Sequence, residues 1–324
     1  MESFKEHRCW EWLYDSDLFG VQNPETGEIG YCSVMGKGGK MYALGVYPDA
    51  EGLHSYFEIQ RQGEEDPLGL TYNDVDLLRT QKCLMASLED LSTLEKKDLD
   101  SIRKLELKYI GNQGWPLFRK FQPGYLPWFI TLEDAKFLTV ALQQAVEVTT
   151  LFQEKQTLLV PPSGKDDCYL VRMQEAGNWL SVWLPAEDYQ APKPQPVIDE
   201  IKIARIQKQG LSQQGTWEVG GIFLDETTPG NPPYFPYVLS IVTSEKSFVL
   251  YPELIKPDKL EQGIPRGFFK AIKKGRRLPQ TLLVDNEDTY LILQPFTNSL
   301  GISLKMVQKL PAVNDFLDGI NRYK

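Results

Sequence analysis

The sequence predicts an α/β protein built in two parts, and three observations carry that reading. The first 190 residues mix short strand and helix signals in an acidic setting. Ala191–Pro196 reads Ala-Pro-Lys-Pro-Gln-Pro, an extended spacer. The remainder follows the order β-β-β-α-β-α-β-α. The expected division is therefore an α+β domain over 1–190, a linker over 191–196 and an α/β domain over 197–324. A length of 324 residues also exceeds what one hydrophobic core usually serves.

Composition narrows the class. Apolar residues make up 42% and charged residues 24%, which excludes a wholly disordered chain. No apolar run approaches the roughly 18 residues of a membrane span. Glu2, Lys5, Glu6 and Arg8 precede any apolar stretch, which argues against a secretory leader. Cys9, Cys32, Cys83 and Cys168 are widely spaced and fit a reduced, cytoplasmic setting. With His7 and His54 as the only histidines, neither a zinc site nor a histidine-based triad has the residues it needs at close spacing. Residues 211–324 hold 13 basic and 12 acidic side chains. Of the totals of 35 and 44, this leaves 22 and 32 in residues 1–210. The acidic first part repels phosphate backbones, so any nucleic-acid contact falls to the second part. The acidic part is in turn the candidate surface for a protein partner.

The elements follow in order. Glu2–Leu13 reads as a short helix with Phe4, Trp10 and Leu13 apolar. Strands Ile29–Met35 and Met41–Tyr47 flank Gly36-Lys37-Gly38-Gly39-Lys40, a hairpin turn with no phosphate-loop pattern. Asp49–Gln60 is a helix, 63–74 a loop, and Leu77–Leu91 fits either helix or a buried strand at Cys83–Leu88. Ser92-Thr93-Leu94-Glu95 has capping-box spacing and opens a helix to about Leu107. From Tyr109 to Ile130 the chain is aromatic. Pro116, Pro123 and Pro127 cut it into strands or loops, and its aromatics read as core. Thr131 caps a helix in which Ala135, Leu138, Leu142, Ala145 and Val148 share one face. Cys168–Met173 and Trp179–Leu184 pair around Gly177-Asn178.

Beyond the linker, Val197–Gln209 is a helix, followed by strands Trp217–Leu224, Tyr237–Val242 and Ser247–Leu254. Asp258–Lys274 is a helix interrupted near Gly263 and Pro265. Thr281–Val284 is a buried strand, and Asp288–Leu300 a helix weakened by Pro295. Strand Ile302–Val307 and helix Ala312–Ile320 complete the chain.

Two acids mark candidate chemistry. Asp225 follows the apolar run Gly221–Leu224, and Asp285 follows Leu282-Leu283-Val284. Strand ends of α/β sheets gather active sites. Carboxylates converging there would suit Mg²⁺ or Mn²⁺, and such ions can activate water for phosphodiester cleavage. The competing reading makes them acids that cap a turn or helix. Lys270, Lys273, Lys274, Arg276 and Arg277 form the one basic cluster, either phosphate-contacting or a solvated helix end.

Residues 217–320 resemble the integrase and transposase branch of the ribonuclease H-like fold. The resemblance rests on Trp217 with Asp225-Glu226-Thr227, on Asp285-Asn286, on Leu300-Gly301-Ile302, and on Pro311 followed by Asn314-Asp315-Phe316-Leu317-Asp318. It implies a mixed five-stranded sheet and, if active, a metal held by Asp225, Asp285 and Asp318. The sequence departs from the pattern at Asp318, where the family has Glu, and at Glu287 and Asp315, where it has Gly. The turn Val242-Thr243-Ser244-Glu245-Lys246-Ser247 also lacks the family's acid and arginine. These losses imply an eroded site. The whole chain also resembles an uncharacterised family of bacterial two-domain proteins, through Gly114-Trp115-Pro116-Leu117-Phe118-Arg119, Pro123-Gly124-Tyr125-Leu126-Pro127-Trp128 and Phe137-Leu138-Thr139-Val140-Ala141-Leu142. The leading expectation is a non-catalytic, integrase-like binding or scaffolding module that needs no cofactor. The alternatives are a divalent-metal nuclease or strand-transfer enzyme, and a protein–protein adaptor.

Overall fold

The computed structural model describes residues 1–39, 41–65, 78–107, 109 and 114–322. The chain divides into two compact units, Met1–Gln190 and Ala191–Lys324. Each is an α/β assembly on its own mixed sheet.

The first unit holds β1 (Phe19–Gln22), β2 (Ile29–Met35), β3 (Tyr42–Pro48), β4 (Cys83–Glu89), β5 (Trp115–Phe121), β6 (Cys168–Glu175) and β7 (Asn178–Pro185). Their order is β5-β4-β3-β2-β1-β6-β7. Only the β1–β6 contact is parallel. Its helices are α1 (Glu2–His7), α2 (Asp49–Glu65), α3 (Lys96–Lys104) and α4 (Leu132–Glu154). Thr131 caps α4 and Asp134 completes the capping box. The buried stripe Phe137, Leu138, Ala141, Ala145 and Val148 then lies on Val21, Val34, Leu44 and Val46. A Cβ on Gly30 would meet the Phe137 ring at 2.7 Å, so glycine lets the helix sit this close. On the opposite face Leu53 and Tyr56 of α2 cover Tyr31, Ala43 and Tyr47. Fully burying one such side chain contributes about 2 kcal/mol.

Several expectations shift here. The N-terminal helix ends at His7, because Arg8 turns left-handed (φ 47°), and Cys9–Glu11 continues as a 3-10 turn. The capping box belongs to Glu95 and Asp98, not Ser92 and Glu95, and Leu91–Thr93 forms a separate 3-10 turn. Ser92-x-x-Glu95 and Glu95-x-x-Asp98 have the same spacing, and spacing alone does not choose between them. Cys83–Glu89 resolves as a strand. Strand β1 carried no periodic signal, since its four residues include one glycine. Helix α2 runs on through 63–65, and the rest of the expected loop, with Lys40 of the first hairpin, lies outside the described residues.

The second unit holds α5 (Glu200–Lys208), β8 (Thr216–Phe223), β9 (Tyr237–Thr243), β10 (Phe248–Ile255), α6 (Leu260–Gly275), β11 (Thr281–Val284), α7 (Glu287–Ser299), β12 (Ser303–Met306) and α8 (Pro311–Arg322). The order is β10-β9-β8-β11-β12. β9 runs antiparallel to both its neighbours, while β8, β11 and β12 run parallel. This is the mixed five-stranded sheet that the ribonuclease H-like resemblance implies. Gly263 and Pro265 do not interrupt α6. Both are buried, and Gly263 is the point of contact with Ile255, whose side chain a Cβ there would strike at 2.6 Å. Pro295 likewise stays inside α7. Phe268, Phe296, Trp217 and Ile241 fill the core on the α6–α7 face, and Val313 and Leu317 of α8 pack on Val238 and Val242 across the sheet.

Candidate functional site

The strand-end acids are placed by β8 and β11. These strands pair in parallel with Leu282 beside Trp217 and Leu283 beside Glu218. Continuing the register by two residues brings Asp285 beside Gly220. A Cβ built on Gly220 would lie 3.6 Å from Asp285 Oδ1, in agreement with that register. The same Cβ would lie 2.6 Å from Leu310 Cδ1. Leu310 is fully buried and fills the space a side chain at 220 would need.

Asp225 stands five residues past Gly220 on the chain. The hairpin continues beyond β8, because Leu224 N–H donates to Pro236 O at 2.9 Å. Asp225 lies in a bend two residues past the end of β8, beyond the level of Asp285. Asp318 lies on the exposed side of α8, about 10 Å along the axis from the helix start beside Leu310. Among the described residues no three His, Cys, Asp or Glu side chains stand close enough to share a metal ion. The structure therefore does not bring Asp225, Asp285 and Asp318 together. Asp285 instead accepts from Asn286 Nδ2 at 3.0 Å, and Asn286 caps α7 by accepting from Thr289 N–H at 2.9 Å. Burial, and then the charge of Asp285, push the Tyr237 hydroxyl well above the usual tyrosine range.

A buried acid that the sequence reading passed over sits two residues before Gly220. Glu218 Oε2 accepts from Ala312 N–H at 2.8 Å and Val313 N–H at 3.1 Å. It caps α8 from the neighbouring sheet. Pro311 opens that helix without an N–H, and Leu310 before it has no side-chain acceptor, so the next donors need a remote partner. A helix beginning Leu-Pro, with no Ser, Thr, Asp or Asn ahead of it, was the available signal.

The basic cluster lies at the C-terminal end of α6. Lys270, Lys273 and Lys274 are exposed on the helix, Arg276 is its left-handed C-cap (φ 49°), and Arg277 follows. Lys270 Nζ donates to Tyr251 Oη at 2.7 Å and meets Glu253 Oε1 at 3.4 Å. The Tyr251 contact raises its pKa. Positive charge at a helix C-terminus also complements the macrodipole.

In the first unit the aromatic stretch contributes to packing. Phe118 rests on the α4 core, Trp128 and Phe129 meet edge-on, and buried Arg119 lies 4.5 Å over the Phe129 ring. Arg119 also forks onto Asp98 at 2.8 and 2.7 Å. A cavity of about 530 Å³ lies between the starts of α2 and α4, lined by Glu28, Asp49, Glu51, Lys82, Lys120 and Asp134 among others. Its lysines are already paired. Lys82 bridges Asp49 and Glu51, and Lys120 meets Asp134 at 2.9 Å. Both histidines are exposed. His7 contacts Ser3 O, and His54 stacks on Tyr189.

The second unit is thus an α/β module on a mixed five-stranded sheet. The chain belongs to the family of the domain of unknown function DUF7309, whose model matches residues 1–172. A second family model, the domain of unknown function DUF6930, matches residues 202–321. No curated protein matches the chain. Solved structures similar to it include the HTLV-2 integrase catalytic core domain in complex with magnesium, in dimeric and trimeric forms. Their identities are 18% and 19%, each with a TM-score of 0.26, covering 35% of this chain and 73% of that one. Among the described residues no helix is long and apolar enough to cross a membrane.

Proposed function

We propose that the chain is a non-catalytic binding or scaffolding protein, in which the second unit keeps an integrase-like frame without its metal chemistry. The observation that carries this reading is the pairing of Asp285 with Gly220 under Leu310. A two-ion mechanism needs carboxylates on adjacent strands aimed at one point. Here one of the two strand positions has no side chain, and an apolar group fills the space beside it. The one acid within that strand, Glu218, is buried and engaged as a helix cap.

Binding to nucleic acid would run through Lys270, Lys273, Lys274, Arg276 and Arg277, and binding to protein through the acidic first unit. Salt separates the two, because phosphate contacts weaken steeply as salt rises. The same reading takes the chain as a cytoplasmic bacterial protein. The motif resemblance and four cysteines that form no disulfide support it.

The test is cleavage of single- and double-stranded DNA with Mg²⁺ or Mn²⁺, run on the wild type, Asp225→Asn and Asp285→Asn. The expected result is no cleavage above the buffer control in any of the three. Cleavage by the wild type that either substitution abolishes would overturn the reading and restore the metal-dependent nuclease.

A further inference from the structure

Each sheet ends on strands whose outer backbone groups pair with no described strand, and such edges template unwanted association unless blunted. Three of the four edges are blunted. β5 contains Pro116, Arg119 and Lys120, and Trp128 closes its end by exchanging two backbone hydrogen bonds with Lys120 at 2.7 and 2.9 Å. β10 contains Pro252 and a register shift between Val249 and Tyr251. β12 has four residues, one of them Lys305.

β7 has none of these devices. Its eight residues, Asn-Trp-Leu-Ser-Val-Trp-Leu-Pro, include no charge. Its eight pairs with β6 run without a register shift, and its single proline is the last residue. One face is fixed internally: Trp179 rests on the α4 core, and Ser181 Oγ accepts from Arg172 Nη1 at 2.8 Å. Arg172 in turn reaches Gln144 and Glu147 of α4, which ties this face to the helix. The alternate face carries Leu180 and Val182, 43% and 37% exposed despite being aliphatic. An uncharged, unbulged edge with aliphatic side chains at its centre is built for strand addition.

We propose that β7 pairs antiparallel with β7 of a second copy, making one sheet continuous across a two-fold dimer. The strand is complementary to itself when reversed. With the two-fold axis at Ser181, Leu180 faces Val182 of the second copy and Trp179 faces its Trp183. Aliphatic meets aliphatic on one face and aromatic meets aromatic on the other, and no like charges oppose one another. An extended segment of another protein gains nothing from this reversal symmetry, which is why a second copy is the occupant. Isologous pairing uses up the edge, and the blunted β5 at the other end prevents growth into a fibre.

The test is light scattering on the full chain after size exclusion, at several concentrations, for the wild type and Val182→Lys. The wild type is expected at twice the chain mass. Val182→Lys, which brings a lysine into the centre of the edge, is expected as a monomer with an unchanged circular dichroism spectrum. If Val182→Lys loses its folded signal, Leu180→Lys on the same face takes its place with the same expectation. A wild type that stays monomeric up to about 100 µM, a concentration far above a micromolar Kd, overturns the proposal. So does a dimer that survives the lysine substitutions unchanged.

Discussion

Asp98 in the first unit and Asp285 in the second are both aspartates fixed by neighbouring secondary structure, yet they meet opposite surroundings. Asp98 faces a guanidinium. Arg119 reaches it from β5 with two hydrogen bonds, and both side chains are largely buried. Asp285 faces a glycine on the adjacent strand, accepts a hydrogen bond from its neighbour Asn286, and stays exposed. The difference teaches that an acid at the end of a helix or strand says little until the residue opposite it is known. In the first unit the opposite residue turns the acid into a structural tie. In the second it leaves the acid unassembled while the fold around it persists.

The contrast can be broken most forcefully at Arg119. Arg119→Ala leaves a largely buried carboxylate without its cation, and is expected to cost about 3 kcal/mol in urea unfolding near neutral pH. That effect depends on pH. Burial alone would raise the Asp98 pKa, but the Arg119 hydrogen bonds, then the Glu95 N–H and the Arg119 charge, hold it below the ordinary aspartate value of 3.8. A depressed folded pKa gives stability that is present above that value and lost as pH falls through the lowered one. The gap between wild type and Arg119→Ala should therefore close in acid. A gap that stays constant down to about pH 2 would show that the pair contributes by packing alone.

Glu218→Ala comes next. It removes the remote cap of α8 and leaves two N–H groups unsatisfied beside a buried strand, at an expected cost of about 2 kcal/mol in the unfolding of the second unit. Glu218→Gln, which keeps one acceptor oxygen, should lose less. If both variants unfold like the wild type, the cap is not what seats α8. Asp285→Asn should change stability by less than about 0.5 kcal/mol, because the residue is exposed and carries no tie. Smallest of all is Lys270→Ala, for which no shift of the unfolding midpoint is expected, since its contacts to Tyr251 and Glu253 are solvent-screened.

The sequence made some of this legible and not the rest, for physical reasons. Periodicity exposed α4, because a long apolar stripe with a Thr131 cap is a local signal. It exposed β8, β9 and β11 equally, since buried strands read as short apolar runs. Their identity as strands was therefore readable, but their mutual register was not. Register is a tertiary quantity set by how β11 slides against β8, and a shift of five residues decides which acids meet. Nothing local in Trp217-Glu218-Val219-Gly220 marks Glu218 as buried; it is buried because α8 covers this face and needs an acceptor. The role of Gly220 was invisible for the same reason, as a missing side chain has no signal until its neighbour is known.

The most direct test of the central claim is a titration of the protein with Mn²⁺, followed by the electron paramagnetic resonance of the free ion, for the wild type and Asp285→Asn. With Gly220 opposite Asp285 and Leu310 above it, both proteins should leave the free-ion signal unchanged, showing no saturable site at millimolar Mn²⁺. A saturable loss of signal in the wild type that Asp285→Asn removes would contradict the account and establish Asp285 as a metal ligand.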